Sequence, residues 1–148
     1  MSYTPELKSH IHHLISKVKL LILHHEYRVT VHWMDDPAPT DTENISTKMS
    51  IRVNIEYLYC TIWIYPEMQT HWDREMYQDI GDFVLHEMCH LLTEPLWDLI
   101  RMDMRPSQEC IFHEIYERQN QRVTNARNQA LPTDWYMPIP PAPPPTTP

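Results

Sequence analysis

The motif His86-Glu87-Met88-Cys89-His90 lies inside an apolar run and constrains this stretch of the chain to a helix. Residues four apart share one face of an α-helix, so His86 and His90 can present two imidazoles to a single metal ion. Glu87 lies one position further round, where its carboxylate can take a proton from water held by that ion. The motif therefore predicts a helix that carries two zinc ligands and a general base.

The composition excludes several other classes of function. Gly81 is the only glycine among 148 residues, so no glycine-rich phosphate loop, dinucleotide fingerprint or Gly-x-Ser-x-Gly elbow exists in this chain. A net charge of −8 argues against nucleic acid as a partner, because such binding depends on Lys and Arg. Short apolar runs and the lack of a secretory signal predict no membrane partner. Three widely separated cysteines favour a reducing compartment.

Hydrophobic periodicity predicts one α+β domain over residues 1–130. A helix with Thr4 as its N-cap carries apolar residues at three-four spacing as far as His25. The period then changes to two, which predicts strands at about 27–34, 46–55 and 58–65.

Two further helices are predicted after the strands. The first contains the metal motif and extends from about residue 71 to Glu94, where Pro95 ends it. Gly81 inside this helix indicates either a close backbone approach or a kink. The second helix begins with Ser107 as its N-cap and extends to about Ala130.

Residues 131–148 are predicted to form a proline-rich C-terminal tail. Eight of these eighteen residues are proline, a composition that favours polyproline II and does not build a packed core. Two interpretations remain open: a solvated tail, or an arm that lies along a partner.

A catalytic zinc site usually has three protein ligands, so the two histidines need a third. A histidine six positions beyond His90 is excluded, because Leu96 stands there. The remaining candidates are Glu94 on the same helix and three residues of the next helix, Glu109, His113 and Glu114.

The run from Phe83 to Leu96 resembles the small metallopeptidases encoded by tailed phages and prophages, within the gluzincin branch of the zincins. The similarity extends over approximately residues 27–123 and includes Gln108-Glu109-Cys110-Ile111. It implies a zincin-like domain with an N-terminal helix, a small sheet of three or more strands, the motif helix and a following ligand-bearing helix. By this resemblance Glu109 is the third zinc ligand, although Gln108 departs from the second glutamate that the family often has.

The resemblance also implies a function. Zinc held by His86, His90 and Glu109 would activate water, and Glu87 would act as the base in hydrolysis of a peptide bond. The substrate would be a peptide or protein, met in the host cytoplasm or in association with the virion. The segment Thr61–Tyr65 would be the edge strand that pairs with it, unless it is an ordinary core strand with an aromatic outer face.

Several side chains are candidates for supporting roles. An oxyanion stabiliser is expected among Tyr65, His113 and Tyr116, and the acceptors that orient the histidines are expected among Asp82, Glu94 and Asp98. The alternative function is a phage virion or assembly protein that keeps the fold and zinc site without turnover. In that case the proline-rich tail would contact other phage proteins.

Overall fold

The computed structural model describes residues 3–22, 26–38, 47–102, 105 and 108–140. Within these residues the chain forms four helices and a three-stranded sheet, so the predicted α+β class is confirmed. None of the described helices is long and apolar enough to cross a bilayer. The elements are α1 (Pro5–Ile22), β1 (Arg28–Trp33), β2 (Met49–Asn54), β3 (Tyr59–Ile64), α2 (Glu67–Asp73), α3 (Tyr77–Met102) and α4 (Glu109–Gln129).

The N-terminal helix forms as the sequence predicts. The Thr4 hydroxyl accepts a hydrogen bond from the Leu7 N–H at 3.3 Å, which confirms Thr4 as the N-cap. The apolar residues at three-four spacing are buried and pack α1 against α3 and the sheet: Leu7, Ile11, Leu14, Ile15, Val18 and Ile22. This stripe supplies much of the hydrophobic stabilisation of the domain.

The sheet has the strand order β1-β3-β2, with β3 parallel to β1 and antiparallel to β2. Because β3 pairs on both sides, it has no free edge, and the expectation that it would pair with a substrate is wrong. The other interpretation of this segment is confirmed: Cys60, Ile62 and Ile64 are buried, and the opposite face carries Tyr59, Thr61 and Trp63. An open edge next to the motif helix belongs to β2 instead.

The single helix predicted from about residue 71 to Glu94 is wrong at both ends. A turn separates α2 from α3, where Glu75 adopts a φ of 58°. At the other end α3 continues through Pro95 to Met102. An internal proline costs about 3 kcal/mol. We attribute its tolerance to Trp97, which is buried and stacks on Tyr116 of α4 with ring centroids 4.8 Å apart.

Gly81 lies where another side chain approaches the helix backbone closely, which is one of the two predicted explanations for this glycine. A Cβ at this position would lie 1.8 Å from Cδ1 of Tyr136, whose ring crosses α3 there. Tyr136 is buried, and the preceding Trp135 packs against the core. The packed domain therefore extends at least to Tyr136, beyond the predicted boundary at residue 130.

Two sequence predictions fall outside the described residues. Ser107, the predicted N-cap of the last helix, is one of them, and Gln108 occupies the cap position of α4 without a side-chain cap hydrogen bond. The other is the end of the proline-rich tail, residues 141–148.

Candidate metal centre

Two helices bring the candidate ligands together. His86 and His90 lie one turn apart on α3, and the neighbouring α4 places Glu117 opposite them. The ligand atoms of these three side chains all lie within 4.8 Å of one another. Oε2 of Glu117 is 3.5 Å from Nε2 of His86, and Oε1 is 3.8 Å from Nε2 of His90.

The two histidine–carboxylate separations are compatible with a zinc ion. With bonds of about 2.0–2.1 Å and tetrahedral angles, the ligand atoms of bound zinc lie roughly 3.4 Å apart. The two measured histidine–carboxylate separations exceed this value by only a few tenths of an ångström. Two imidazoles and one carboxylate are also a donor set that catalytic zinc uses, with the fourth position open.

Glu109, the third ligand that the family resemblance implies, is not part of this group. It is the first residue of α4, eight residues before Glu117 and therefore about 12 Å away along the helix axis. Its side chain is exposed and lines the outer part of the same cleft. The structure thus groups Glu117, and not Glu109, with the two histidines.

The alternative third ligands make other contacts. Glu114 is exposed and forms an ion pair with Arg118, His113 lies in the cleft wall beside Trp97, and Glu94 accepts a hydrogen bond from Tyr116. The buried face of α4 marks the turn that carries Glu117. Its buried residues, Tyr116, Asn120 and Thr124, recur every four positions, and Glu117 borders that stripe.

Burial and the neighbouring groups shift the pKa of each of the three candidate ligands. Burial favours a higher pKa for Glu117. The hydrogen bond to His86 and the charges of His86 and His90 outweigh burial, so the pKa of Glu117 is lowered. Burial lowers the pKa of His90 to about 4, with Glu117 opposing the shift. Burial also favours a lower pKa for His86. The hydrogen bond to Glu117 and the charge of Glu87 outweigh that effect, so the pKa of His86 is raised. Glu117 is therefore ionised at neutral pH and His90 is neutral.

Glu87 lies in the cleft with His90 and Glu117. Burial raises its pKa to about 7, with the charge of His86 and the backbone amide of Ile51 opposing the rise and the charge of Glu117 adding to it. A carboxylate with a pKa near 7 can both accept and return a proton at neutral pH, which is what a general base needs.

A chain of hydrogen bonds runs from His90 into the protein. Nδ1 of His90 lies 2.6 Å from the Tyr116 hydroxyl, which in turn donates to Oε2 of Glu94 at 2.6 Å. A phenol has one proton, so its oxygen accepts from His90 Nδ1–H. This arrangement leaves the lone pair of His90 Nε2, 3.8 Å from Glu117, available to ligate a metal ion.

Asn120 ties the motif helix to α4 next to this chain. Its amide donates to the backbone carbonyl of His86 at 3.0 Å, and its Oδ1 accepts from the Thr93 hydroxyl at 3.1 Å. Asn120 is fully buried. These bonds hold the two ligand-bearing helices at a fixed separation.

Only some of the side chains that were predicted to support the site contact it. Among the three acids expected to orient histidines, Glu94 does so through Tyr116, whereas Asp82 accepts from Asn128 and Asp98 pairs with Arg101. Among the oxyanion candidates, Tyr116 commits its proton to Glu94, and Tyr65 lies 3.3 Å from the Ser50 hydroxyl. His113 lines the cleft and stays the candidate of that group.

The open edge of β2 forms one wall of the cleft through Met49, Ser50 and Ile51. The Tyr65 N–H donates to the Lys48 carbonyl at 3.0 Å, so even-numbered backbone groups of β2 face β3. The backbone groups of Met49 and Ile51 consequently face the open edge. The Ile51 N–H is hydrogen-bonded there to the Glu87 carboxylate.

Comparisons with protein families, with curated proteins and with solved structures find no match. What the cleft does is therefore inferred from its own geometry.

Proposed function

We propose that this protein is a zinc-dependent metallopeptidase whose ligands are His86, His90 and Glu117. The observation that carries the proposal is the convergence of the ligand atoms of these three side chains within 4.8 Å, beside a cleft lined by His90, Glu117 and Glu87. The motif alone supplies two ligands and a base on one helix. The third ligand comes from a different helix, as a built site requires.

Each residue has a defined task in this proposal. When bound, zinc polarises the substrate carbonyl and makes water nucleophilic at neutral pH. Glu87 accepts the proton of that water and delivers it to the leaving amine, since its pKa of about 7 permits both transfers. His113 lies in the cleft wall, where an imidazole can donate to a developing oxyanion.

The substrate class follows from the strand next to the site. The backbone groups of Met49 and the carbonyl of Ile51 face the open edge of β2, where an extended peptide segment can pair with them, so we expect the substrate to be such a segment. The cleft has a volume of about 450 Å³, which accommodates only a few residues of such a segment.

The first test is the zinc content of four purified variants, measured by elemental analysis. Wild type and Glu87→Gln should each hold one zinc, whereas His86→Ala and Glu117→Ala should lose it or bind it more weakly. Glu109→Ala is the matched control, because it removes an acidic side chain from the same cleft and the same helix and should keep its zinc. Loss of zinc in Glu109→Ala but not in Glu117→Ala would overturn the ligand assignment.

The second test is turnover of a library of unstructured peptides by the zinc-loaded protein. Cleavage should be abolished in Glu87→Gln, which keeps the metal but lacks the base. If wild type holds zinc and cleaves nothing in the library, the alternative of a structural protein that keeps a zincin-like zinc site is favoured.

A further inference from the structure

The sheet has a second face, opposite to the one that packs on the hydrophobic core. Side chains alternate along a strand, and Cys60, Ile62 and Ile64 of β3 are the buried set, so the residues between them point away from the core. Neither Tyr59 nor Trp63 belongs to the core cluster. This surface, here called the outer face, carries Tyr59, Thr61 and Trp63 on β3, Arg28 and His32 on β1, and Arg52 on β2. None of these six residues lines the metal cleft.

Three aromatic rings lie on the outer face. His32 is directly opposite Trp63 in the β1–β3 register, and their ring planes are within 21° of each other at a centroid distance of 6.3 Å. Tyr59 comes four residues before Trp63 on the same strand, so the two are attached about 13 Å apart on the same side. Tyr59 is 42% exposed. Aromatic rings on an open sheet give flat ligands a surface on which to stack.

The charge of the outer face differs from that of the whole chain. Arg28 and Arg52 lie on the two strands that flank β3, and both are exposed. Neither guanidinium forms an ion pair with any residue that the structure describes. Glu26 borders one corner, where it lines a concavity with Arg28. The remaining outward positions of the three strands are uncharged: Thr30, Ser50 and Asn54. In a chain of net charge −8 this face is cationic, so its complement is an anionic partner.

We propose that the outer face binds a single strand of nucleic acid, with bases stacked on the rings and phosphates paired with Arg28 and Arg52. A single strand combines both features, whereas the bases of a duplex are stacked on one another and cannot reach the rings. Open sheets with aromatic side chains hold two or three bases in this way. The net charge of −8 argues against such a partner as an average over the surface, but it does not describe this face.

The test is fluorescence anisotropy of a labelled oligothymidylate of about ten nucleotides, titrated with the full-length, zinc-loaded protein at low salt. We expect a Kd of about 1 to 100 µM, because only two arginines neutralise phosphates and the rest of the protein is acidic. Each neutralised phosphate contributes about −0.7 to the slope of log K against log salt on a single strand, so two should give about −1.4.

Two pairs of variants locate the binding surface. Tyr59→Ala should weaken binding about 5- to 150-fold by removing a stacking ring, and Tyr59→Phe, its matched control, should bind like wild type. Arg52→Gln should weaken binding and reduce the salt slope to about −0.7. Arg122→Gln, at an exposed arginine of α4, is the control for charge and should leave both the affinity and the slope unchanged.

The proposal is overturned if wild type does not bind the oligonucleotide, or if Tyr59→Ala and Arg52→Gln bind it as well as wild type does. An oligoglutamate of equal charge that displaces the oligonucleotide equally well would assign the face to an acidic protein segment and overturn it too. Zinc content and peptide cleavage should be the same in all four variants, because none of them alters the cleft. Failure of this proposal is therefore distinguishable from failure of the peptidase proposal.

Discussion

At the scale of single residues, the site depends on where protons lie. The Tyr116 hydroxyl has one proton and gives it to Glu94, so His90 must donate from Nδ1 and keep Nε2 for a metal. Burial raises the pKa of Glu94, while the hydroxyl donated by Tyr116 opposes that rise and favours the carboxylate. Tyr116 and Glu94 are therefore positioning residues that act through His90.

Tyr116→Phe tests this assignment. The phenyl ring keeps the stacking on Trp97 but removes the acceptor of His90 Nδ1–H, so the zinc dissociation constant should rise about 10- to 100-fold. The measurement is competition with a chelator of known affinity. Tyr57→Phe, at an exposed tyrosine, is the control and should bind zinc like wild type. Unchanged affinity in Tyr116→Phe would show that the hydrogen-bond chain does not orient the ligand.

His10 makes a prediction about pH. Burial lowers its pKa from 6.5 to about 4, and the charges of His13 and Lys17 add to the shift. The unfolded chain therefore binds the proton first, and the stability that neutral His10 allows above pH 6.5 is lost as the pH falls toward 4.

The expected loss in the free energy of unfolding between pH 7 and pH 5 is about 2 kcal/mol for this group. His10→Phe keeps a ring against Trp72 and Tyr77 without a titrating group, so its stability should fall by that much less over the same interval. Urea unfolding of both proteins at the two pH values checks this. Equal losses in the two proteins would exclude His10 as the group responsible.

At the scale of elements, α3 is held between α4 on one side and the C-terminal chain on another. The contact with α4 is made by Trp97 and Tyr116, and the contact with the C-terminal chain is made where Tyr136 crosses Gly81. A glycine inside a helix costs about 1 kcal/mol relative to alanine, and here it makes room for the ring.

Gly81→Ala should destabilise the protein by about 1–3 kcal/mol despite the better helix propensity of alanine, because its Cβ would overlap the Tyr136 ring. Combining it with Tyr136→Ala should remove that penalty, so the two substitutions together should cost less than the sum of their separate costs. Gln78→Ala, at an exposed position of the same helix, should change stability by less than about 0.5 kcal/mol. Additive effects of Gly81→Ala and Tyr136→Ala in chemical denaturation would contradict the contact.

At the scale of the whole molecule, the metal centre is a link between α3 and α4. His86 and His90 belong to one helix and Glu117 to the other, so an ion bound there stabilises their docking. A ligand that binds only the folded state adds RT ln(1 + [L]/Kd), or about 3 kcal/mol at a free concentration of 100 times Kd. For a chain of this size that corresponds to a Tm roughly 6–12 °C higher.

Removing zinc with a chelator should reverse this shift in calorimetry, and adding zinc back should restore it. His86→Ala should show almost no response to either treatment. A wild-type Tm that does not change with zinc would mean that no ion binds across the two helices.

The features that periodicity predicts are those that depend on neighbours in the chain. The three-four spacing of Leu7, Ile11 and Leu14 predicted α1, and alternation predicted the three strands, because each pattern reports one buried face. The ends of α3 were not predicted, because the packing of Trp97 on Tyr116 outweighs the local effect of Pro95. The sequence allowed two interpretations of Gly81, a close backbone approach or a kink. The position of the Tyr136 ring against Gly81 supports the close approach.

Spacing along the chain was enough to predict the α+β class, the helix of the metal motif and the position of His86 and His90 on one helix face. These follow from local spacing along a single helix or strand. The packing of distant segments, by contrast, places Glu117 opposite them instead of Glu109 and leaves the open edge of the sheet to β2 instead of β3. The turn of α4 that meets α3 depends on how their side chains interlock. The order of strands depends on contacts between distant segments. Spacing along the chain specifies neither the turn of α4 that meets α3 nor the order of the strands.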